Sequence, residues 1–122
     1  MNHIRIGHVL STSRIFTVAD MAVFARLTGD FNPIHEGPNP IVHGMLVASM
    51  FPTVFADQFP GSIYIRQSLV FRRPVLPDHV ITYNIIVTGI RETRRRITCT
   101  TLAINAKGQN AIEGEAELLL PD

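Results

Sequence analysis

Residues 44–55, GMLVASMFPTVF, constrain the fold of this chain more than any other stretch. They are apolar around a whole helical circumference, and such a helix is stable only where protein encloses it on all sides. The stretch falls short of the ~20 residues that a membrane span requires. Pro52 removes an internal hydrogen bond and predicts a bend or an end to the helix nearby. Ala48 and Ser49 are small and let a neighbouring surface approach closely.

The downstream sequence supplies what can enclose it. From Ser62 four β-rich runs follow, SIYIRQSLVFRRP, HVITYNIIVTGI, RRITCTTLAINA and NAIEGEAELLL, separated by turn signals. Pro74, Pro77 and Asp78 part the first two, Gly89 to Thr93 joins the middle pair, and Lys107 to Asn110 forms the last loop. Short connections predict antiparallel neighbours. In the first run Ile63, Ile65, Gln67, Leu69 and Phe71 alternate with Tyr64, Arg66, Ser68, Val70 and Arg72, so one of these faces is expected in the core.

Upstream, His8 to Thr17 predicts a strand of modest strength. Thr17 stands three residues before Asp20, a capping-box start for a helix from Val18 to about Leu27 that carries Met21, Phe24, Ala25 and Thr28 on one inward stripe. Gly29 suits the left-handed position that ends it. The expected class is α+β, a long antiparallel sheet curled around the apolar helix, with residues 1–122 forming a single domain.

Hydrophobic residues make up 46% of the chain and charged residues only 17%, which is rich for a domain this small and predicts surface buried against a second copy. A net charge of +1, with one short basic run at Arg94-Arg95-Arg96 and no interleaved aromatics, excludes general nucleic-acid binding. The single cysteine, Cys99, excludes an internal disulfide and a cysteine-based zinc site; it is expected in the core, in a reducing compartment. The first nineteen residues carry Arg5, Arg14, hydroxyls and no acid, a faint presequence composition, but they also alternate like a strand. Cytoplasmic location is therefore expected, with the mitochondrial matrix as the alternative.

Chemistry concentrates in the loop TGDFNPIHEGPNPIVHGM, residues 28–45. Asp30, Asn32 and His35 fall within six residues, and Pro33, Pro38 and Pro40 stiffen the segment. A carboxylate and an imidazole held together suit proton transfer near neutral pH. Taken singly, Asp30 reads as a post-helix turn acid, Asn32 as an Asx-turn residue, and His43 as a cap or a site wall. Asp30, His35 and His43 can also be drawn as metal ligands. Without helical i, i+4 histidines or a cysteine pair, no metal is expected.

GDFNPIH, then IVHGMLVASMF, then PGSIYIRQSLVFRRPVLPDHV closely resembles the MaoC-like (R)-specific enoyl-CoA hydratases and related 3-hydroxyacyl-thioester dehydratases, over nearly the whole chain. The resemblance implies the hot-dog fold, a homodimer, no cofactor, and interconversion of trans-2-enoyl and (R)-3-hydroxyacyl thioesters of CoA or acyl-carrier protein. By residue matching it implies that Asp30 and His35 are the catalytic acid/base pair. Gly44 matches the helix-start glycine whose amide polarises the substrate carbonyl, and Asn32 matches the amide residue of the substrate-binding motif. Arg91, Arg94, Arg95 and Arg96 are then either a phosphate-binding group for the carrier or a solvated strand edge. One departure stands out: the family usually has a longer segment between the motif histidine and the IVHGM block, where this chain has only Glu36 to Pro40. Two other readings use the same fold, an acyl-CoA thioesterase and a non-catalytic dimer that binds acyl thioesters or scaffolds a partner.

Overall fold

The computed structural model describes residues 3–122. Strand β1 (Val9–Ile15) leads into helix α1 (Val18–Thr28), and the polar loop delivers the chain to α2 (Gly44–Ala48) and α3 (Met50–Gln58). Strands β2 (Ile63–Gln67), β3 (Val70–Phe71), β4 (Val80–Arg91), β5 (Arg96–Ile104) and β6 (Asn110–Leu119) follow. All pairings are antiparallel, in the order β1-β4-β5-β6-β2, with β3 also on β6.

The sheet wraps its apolar face around α2 and α3, the hot-dog arrangement. Ile81, Tyr83, Ile85 and Val87 of β4 alternate inward with Ile97, Cys99, Thr101 and Ala103 of β5, all at most 1% exposed. They meet Val47, Phe51, Val54 and Phe55 of the helices in one core. Tyr83 is fully buried, stands edge-on to Phe51, and donates its hydroxyl to the Val47 carbonyl at 2.7 Å, which ties α2 to the middle of the sheet. Cys99 lies in this core as expected, and burial pushes its thiol up to about 12.

Helix α1 forms as its caps dictate. The Thr17 hydroxyl accepts from the Asp20 N–H at 3.1 Å, and the Asp20 carboxylate accepts from the Thr17 N–H at 2.9 Å; a cap of this kind contributes about 1 kcal/mol. Gly29 sits at φ +78° and donates to the Ala25 carbonyl at 2.8 Å. Met21 and Ala25 are buried and Phe24 half-buried, whereas Thr28, also expected inward, is exposed.

The apolar helix breaks near Pro52 as expected: the proline offers no N–H to the Ala48 carbonyl and crowds it, and the helical path is interrupted at Ser49. Three other expectations need correction. The helix is not enclosed on all sides within one chain, since Met45, Ser49, Pro52, Thr53 and Ala56 lie exposed along one face. The first β-rich run does not pair with the second but crosses to the far edge, beside β6. The turn between β4 and β5 is Glu92–Arg94 with Arg95 left-handed, later than Gly89 to Thr93, because Gly89 stays in the ladder beside a bulge at Thr88.

The two-face reading of the first run fails for a local reason. The register slips between Tyr64 and Arg66, so Ile65 is an extra residue and the inward face changes parity there. Tyr64, Gln67 and Leu69 are half-buried, while Ile63 and Ile65 point outward. Gln67 reaches the buried Thr101 hydroxyl at 2.9 Å and accepts from Tyr64, so the inward polar groups are satisfied.

Candidate active site

The end of α1 fixes the first side chain of the site. The Thr28 hydroxyl donates to the Phe24 carbonyl at 2.8 Å and accepts from the Asp30 N–H at 3.2 Å, so Asp30 leaves the helix in a set direction. One carboxylate oxygen, Oδ1, accepts from the Asn32 N–H at 3.2 Å. The other, Oδ2, faces His35 Nε2 at 3.9 Å. That gap is too long for a direct hydrogen bond and admits a bridging water.

His35 is carried on a single 3-10 turn, Pro33–His35, whose start is capped by Asn32 Oδ1 accepting from the Ile34 N–H at 3.3 Å. Its Nδ1 lies 2.8 Å from the Ile41 carbonyl. A carbonyl only accepts, so Nδ1 carries the proton, and in the neutral ring Nε2 keeps a lone pair toward Asp30. The short connection Glu36–Pro40 helps to pin His35. Gly37 turns it at φ +84°, and the Ile41 N–H closes back on the Ile34 carbonyl at 3.1 Å.

His43, just before α2, is 2% exposed. Its Nε2 lies 3.3 Å from the Asp30 carbonyl and therefore donates, while Nδ1 is buried with no hydrogen-bond partner. Its ring stacks on that of His35 and packs against Phe24, with centroids 3.8 Å and 4.8 Å away. Asp30, His35 and His43 each offer a ligand atom within 4.8 Å of the others. Imidazole lone pairs lie in the ring planes, and two stacked rings do not aim them at one point, so the geometry suits proton transfer better than a metal.

These groups open on a cavity of about 540 Å³. Asp30, His35, His43 and Gly44 line one side, and Phe71 to Val75 with Ile112 line the other. The Val42 N–H donates to the Val75 carbonyl at 2.8 Å and holds the two walls together. At the start of α2 the Leu46 and Val47 N–H groups return to the His43 carbonyl at 3.0 and 3.1 Å. The amides of Gly44 and Met45 precede them, in positions where a helix leaves its N–H groups without internal acceptors. A Cβ on Gly44 would sit 2.6 Å from Phe71 Cε1, so glycine is needed for the approach of that ring.

Asp30, His35 and Gly44 thus meet at one cavity. Asn32 does not line it; its side chain is used in the cap. The arginines near residue 91 lie at the other end of the sheet. Arg95 pairs with Asp122 at 2.8 Å and Arg96 with Glu117 at 2.8 Å, so these two are already engaged with carboxylates. The sequence gives no signal for Phe71 to Val75 as a cavity wall, because only strand pairing brings that segment to the loop. His43 was legible only as a cap or wall; its burial, stacking and bond to Asp30 require the fold.

A hot-dog sheet around a helix, with a carboxylate and an imidazole facing each other at the helix start, defines the class of acyl-thioester hydratase-like proteins. Residues 4–109 match the model of the MaoC like domain, and the chain belongs to that family. It is 40% identical to the (R)-specific enoyl-CoA hydratase of Aeromonas caviae, over 97% of this chain and 96% of that protein. It is 35% identical to the mitochondrial 3-hydroxyacyl-[acyl-carrier-protein] dehydratase of Arabidopsis thaliana, over 98% of this chain and 79% of that protein. The solved (R)-hydratase from A. caviae involved in PHA biosynthesis superimposes with a TM-score of 0.95 at 38% identity, covering 99% of this chain and all of that one. The alignment with the Aeromonas protein spans 129 positions, more than this chain contains, so that relative carries residues absent here. No helix among the described residues is long and apolar enough to cross a membrane.

Proposed function

We propose that this protein is a hydro-lyase that interconverts trans-2-enoyl and (R)-3-hydroxyacyl thioesters of CoA or acyl-carrier protein. The observation that carries this reading is the 3.9 Å separation of Asp30 Oδ2 and His35 Nε2 at the wall of the cavity that also holds Gly44. The names of the relatives support the same reaction class. In hydration the pair holds one water between the carboxylate and the Nε2 lone pair. As the water oxygen bonds to Cβ, the pair takes its proton and the C=C electrons move toward the thioester carbonyl. The oxygen of the resulting enolate accepts from the Gly44 N–H, a pre-placed donor at the helix start. The pair then delivers a proton to Cα, and the sum is addition of one water with the thioester intact.

The tautomer of His35 makes this economical. Ile41 holds Nδ1–H, so the ring is already a base toward the water and needs no reorientation. The apolar wall of Met45, Val47, Phe71, Val75 and Ile112 accommodates the acyl chain. The test is hydration of crotonyl-CoA followed by loss of enoyl absorbance, with thiol release measured alongside. Asp30→Asn and His35→Ala should each lower kcat by about 10²–10⁴ with the fold retained. Release of CoA thiol in place of hydration would mean a thioesterase, and unchanged activity in both variants would remove the site assignment.

We also infer that the working unit is a homodimer of this single domain. Strand β2 is a sheet edge whose outward residues Ile63 and Ile65 are 60% and 40% exposed, and Val70, Phe71 and Met45 add further exposed apolar surface. An uncovered apolar edge of this kind favours a second copy. Light scattering after size exclusion should give twice the chain mass; a monomer at micromolar concentration would reject it.

A further inference from the structure

A second cavity, of about 270 Å³, lies beside the first and shares Arg73, Pro74 and Val75 with it. Its floor includes the buried Val75 and Ile81, and its rim carries Arg73, His79 and Lys107. No aspartate or glutamate is among its lining residues. Arg73 and Lys107 have no salt bridge among the described residues, in contrast to Arg66, Arg72, Arg95 and Arg96, which are paired with carboxylates.

Arg73 is held by a hydrogen bond to backbone and has no direct carboxylate partner, and Lys107 is carried on an ordered turn. Arg73 donates through one guanidinium nitrogen to the Asn110 carbonyl at 2.7 Å, which holds the group at the boundary between the cavities with its other donors unused. Lys107 sits on the β5–β6 turn, closed by the Asn105 carboxamide: Oδ1 accepts from the Lys107 N–H at 3.0 Å and from the Gln109 N–H at 2.9 Å. A small cavity rimmed by cations and free of acids selects an anion, and a phosphate ester suits arginine and lysine together.

We propose that this second cavity binds a phosphate of the thiol carrier of the substrate, while the acyl group and thioester occupy the first. The proposal rests on the function given above. It moves carrier recognition away from the residue 91–96 arginines to Arg73, His79 and Lys107, at the opposite end of β5. A ligand lying in the first cavity and crossing Arg73 enters the second without leaving the protein surface. The phosphate in question is either the 4′-phosphate shared by CoA and acyl-carrier protein or the nucleotide end of CoA alone.

The test is calorimetric titration of the intact protein with CoA, dephospho-CoA, 4′-phosphopantetheine and pantetheine, with Lys107→Glu and Lys107→Ala as variants on an exposed turn. CoA should bind at least about tenfold more tightly than pantetheine, and Lys107→Glu should remove most of that gap while leaving pantetheine unchanged. Tight binding of 4′-phosphopantetheine assigns the site to the phosphate common to both carriers; tight binding of CoA alone assigns it to the 3′-phosphate. Equal affinities for CoA and pantetheine, or equal loss of both in Lys107→Glu, overturns the proposal. Kinetics separate it from the parent reading. Discrimination between CoA and pantetheine without hydration of crotonyl-CoA rejects the hydratase and keeps the subsite. Hydration of crotonyl-CoA and crotonyl-pantetheine with one KM rejects the subsite and keeps the hydratase.

Discussion

The imidazole of His35 lies on that of His43, centroids 3.8 Å apart and planes 26° from parallel, although only His35 turns a lone pair toward Asp30. His43 instead donates from Nε2 to the Asp30 backbone. It contacts the carboxylate's main chain and the face of the His35 ring at once, and a positioning role is the expectation that the next variant tests.

His43→Phe keeps a ring against His35 and deletes the bond to the Asp30 carbonyl. It also removes the buried Nδ1 that has no partner, whose burial costs on the order of 1–3 kcal/mol. The expected result is a kcat lower by about tenfold with KM within twofold, and a thermal midpoint that does not fall. A variant that unfolds, or one with wild-type kcat, would remove the positioning role.

Gly44→Ala places a methyl 2.6 Å from Phe71 Cε1. Phe71 is half exposed and its ring swings aside, so the stability loss should be modest, about 1–2 kcal/mol. The displaced ring stands in the cavity mouth, and kcat/KM should fall further than stability does. Adding Phe71→Ala should restore the melting temperature but not the activity if the Gly44 amide must be approached closely by substrate. Full recovery of both would assign glycine to packing alone.

Gly114→Ala should be more severe. A Cβ there meets the Ser68 carbonyl oxygen at 1.9 Å, and that backbone is held by the Ser68 N–H on the Glu115 carbonyl at 2.9 Å, so neither side can give. Chemical denaturation should show a loss of about 3 kcal/mol or more. A change under 1 kcal/mol would mean that the step between β2 and β3 is loosely held.

Acid should destabilise the protein through Glu113 and Glu117. Hydrogen bonds from Arg72 and then Asn110 hold Glu113 below its ordinary value of 4.5, and a hydrogen bond from Arg96, with Arg66 nearby, does the same for Glu117. Below 4.5 the unfolded chain binds more protons than the folded one, so stability rises with pH in that window. It is fully present above the ordinary value and is lost as pH falls through the lowered one. Melting temperature measured from pH 6 to pH 3 should drop, and Glu113→Gln with Glu117→Gln should flatten the slope. An unchanged slope would exclude these pairs as its source.

The sequence by itself determined the local elements and the two ends of the site. Thr17, Asp20 and Gly29 set the limits of α1 through contacts within a few residues, and the β-rich runs marked the strands, while the inward faces of β4 and β5 are seen in the fold. The ordered blocks GDFNPIH, IVHGMLVASMF and PGSIYIRQSLVFRRPVLPDHV carried the family likeness, now matched by the MaoC like domain model. Only the tertiary structure decided the rest. The extra Ile65, which switches faces mid-strand, depends on how β2 meets β6 at Glu117 and Leu118. The crossing of that strand to the far edge is a matter of topology, which periodicity does not encode. The face of the apolar helices left open is likewise a property of where the sheet stops. The bearing of His43 on Asp30, thirteen residues away, and of Val75 on Val42 comes from segments that meet only when the sheet closes around the helices. Caps and alternation act over one turn or one pleat, so they are written in neighbouring residues. A site wall assembled from a loop, a helix start and a distant strand is fixed by packing, and no local pattern records it.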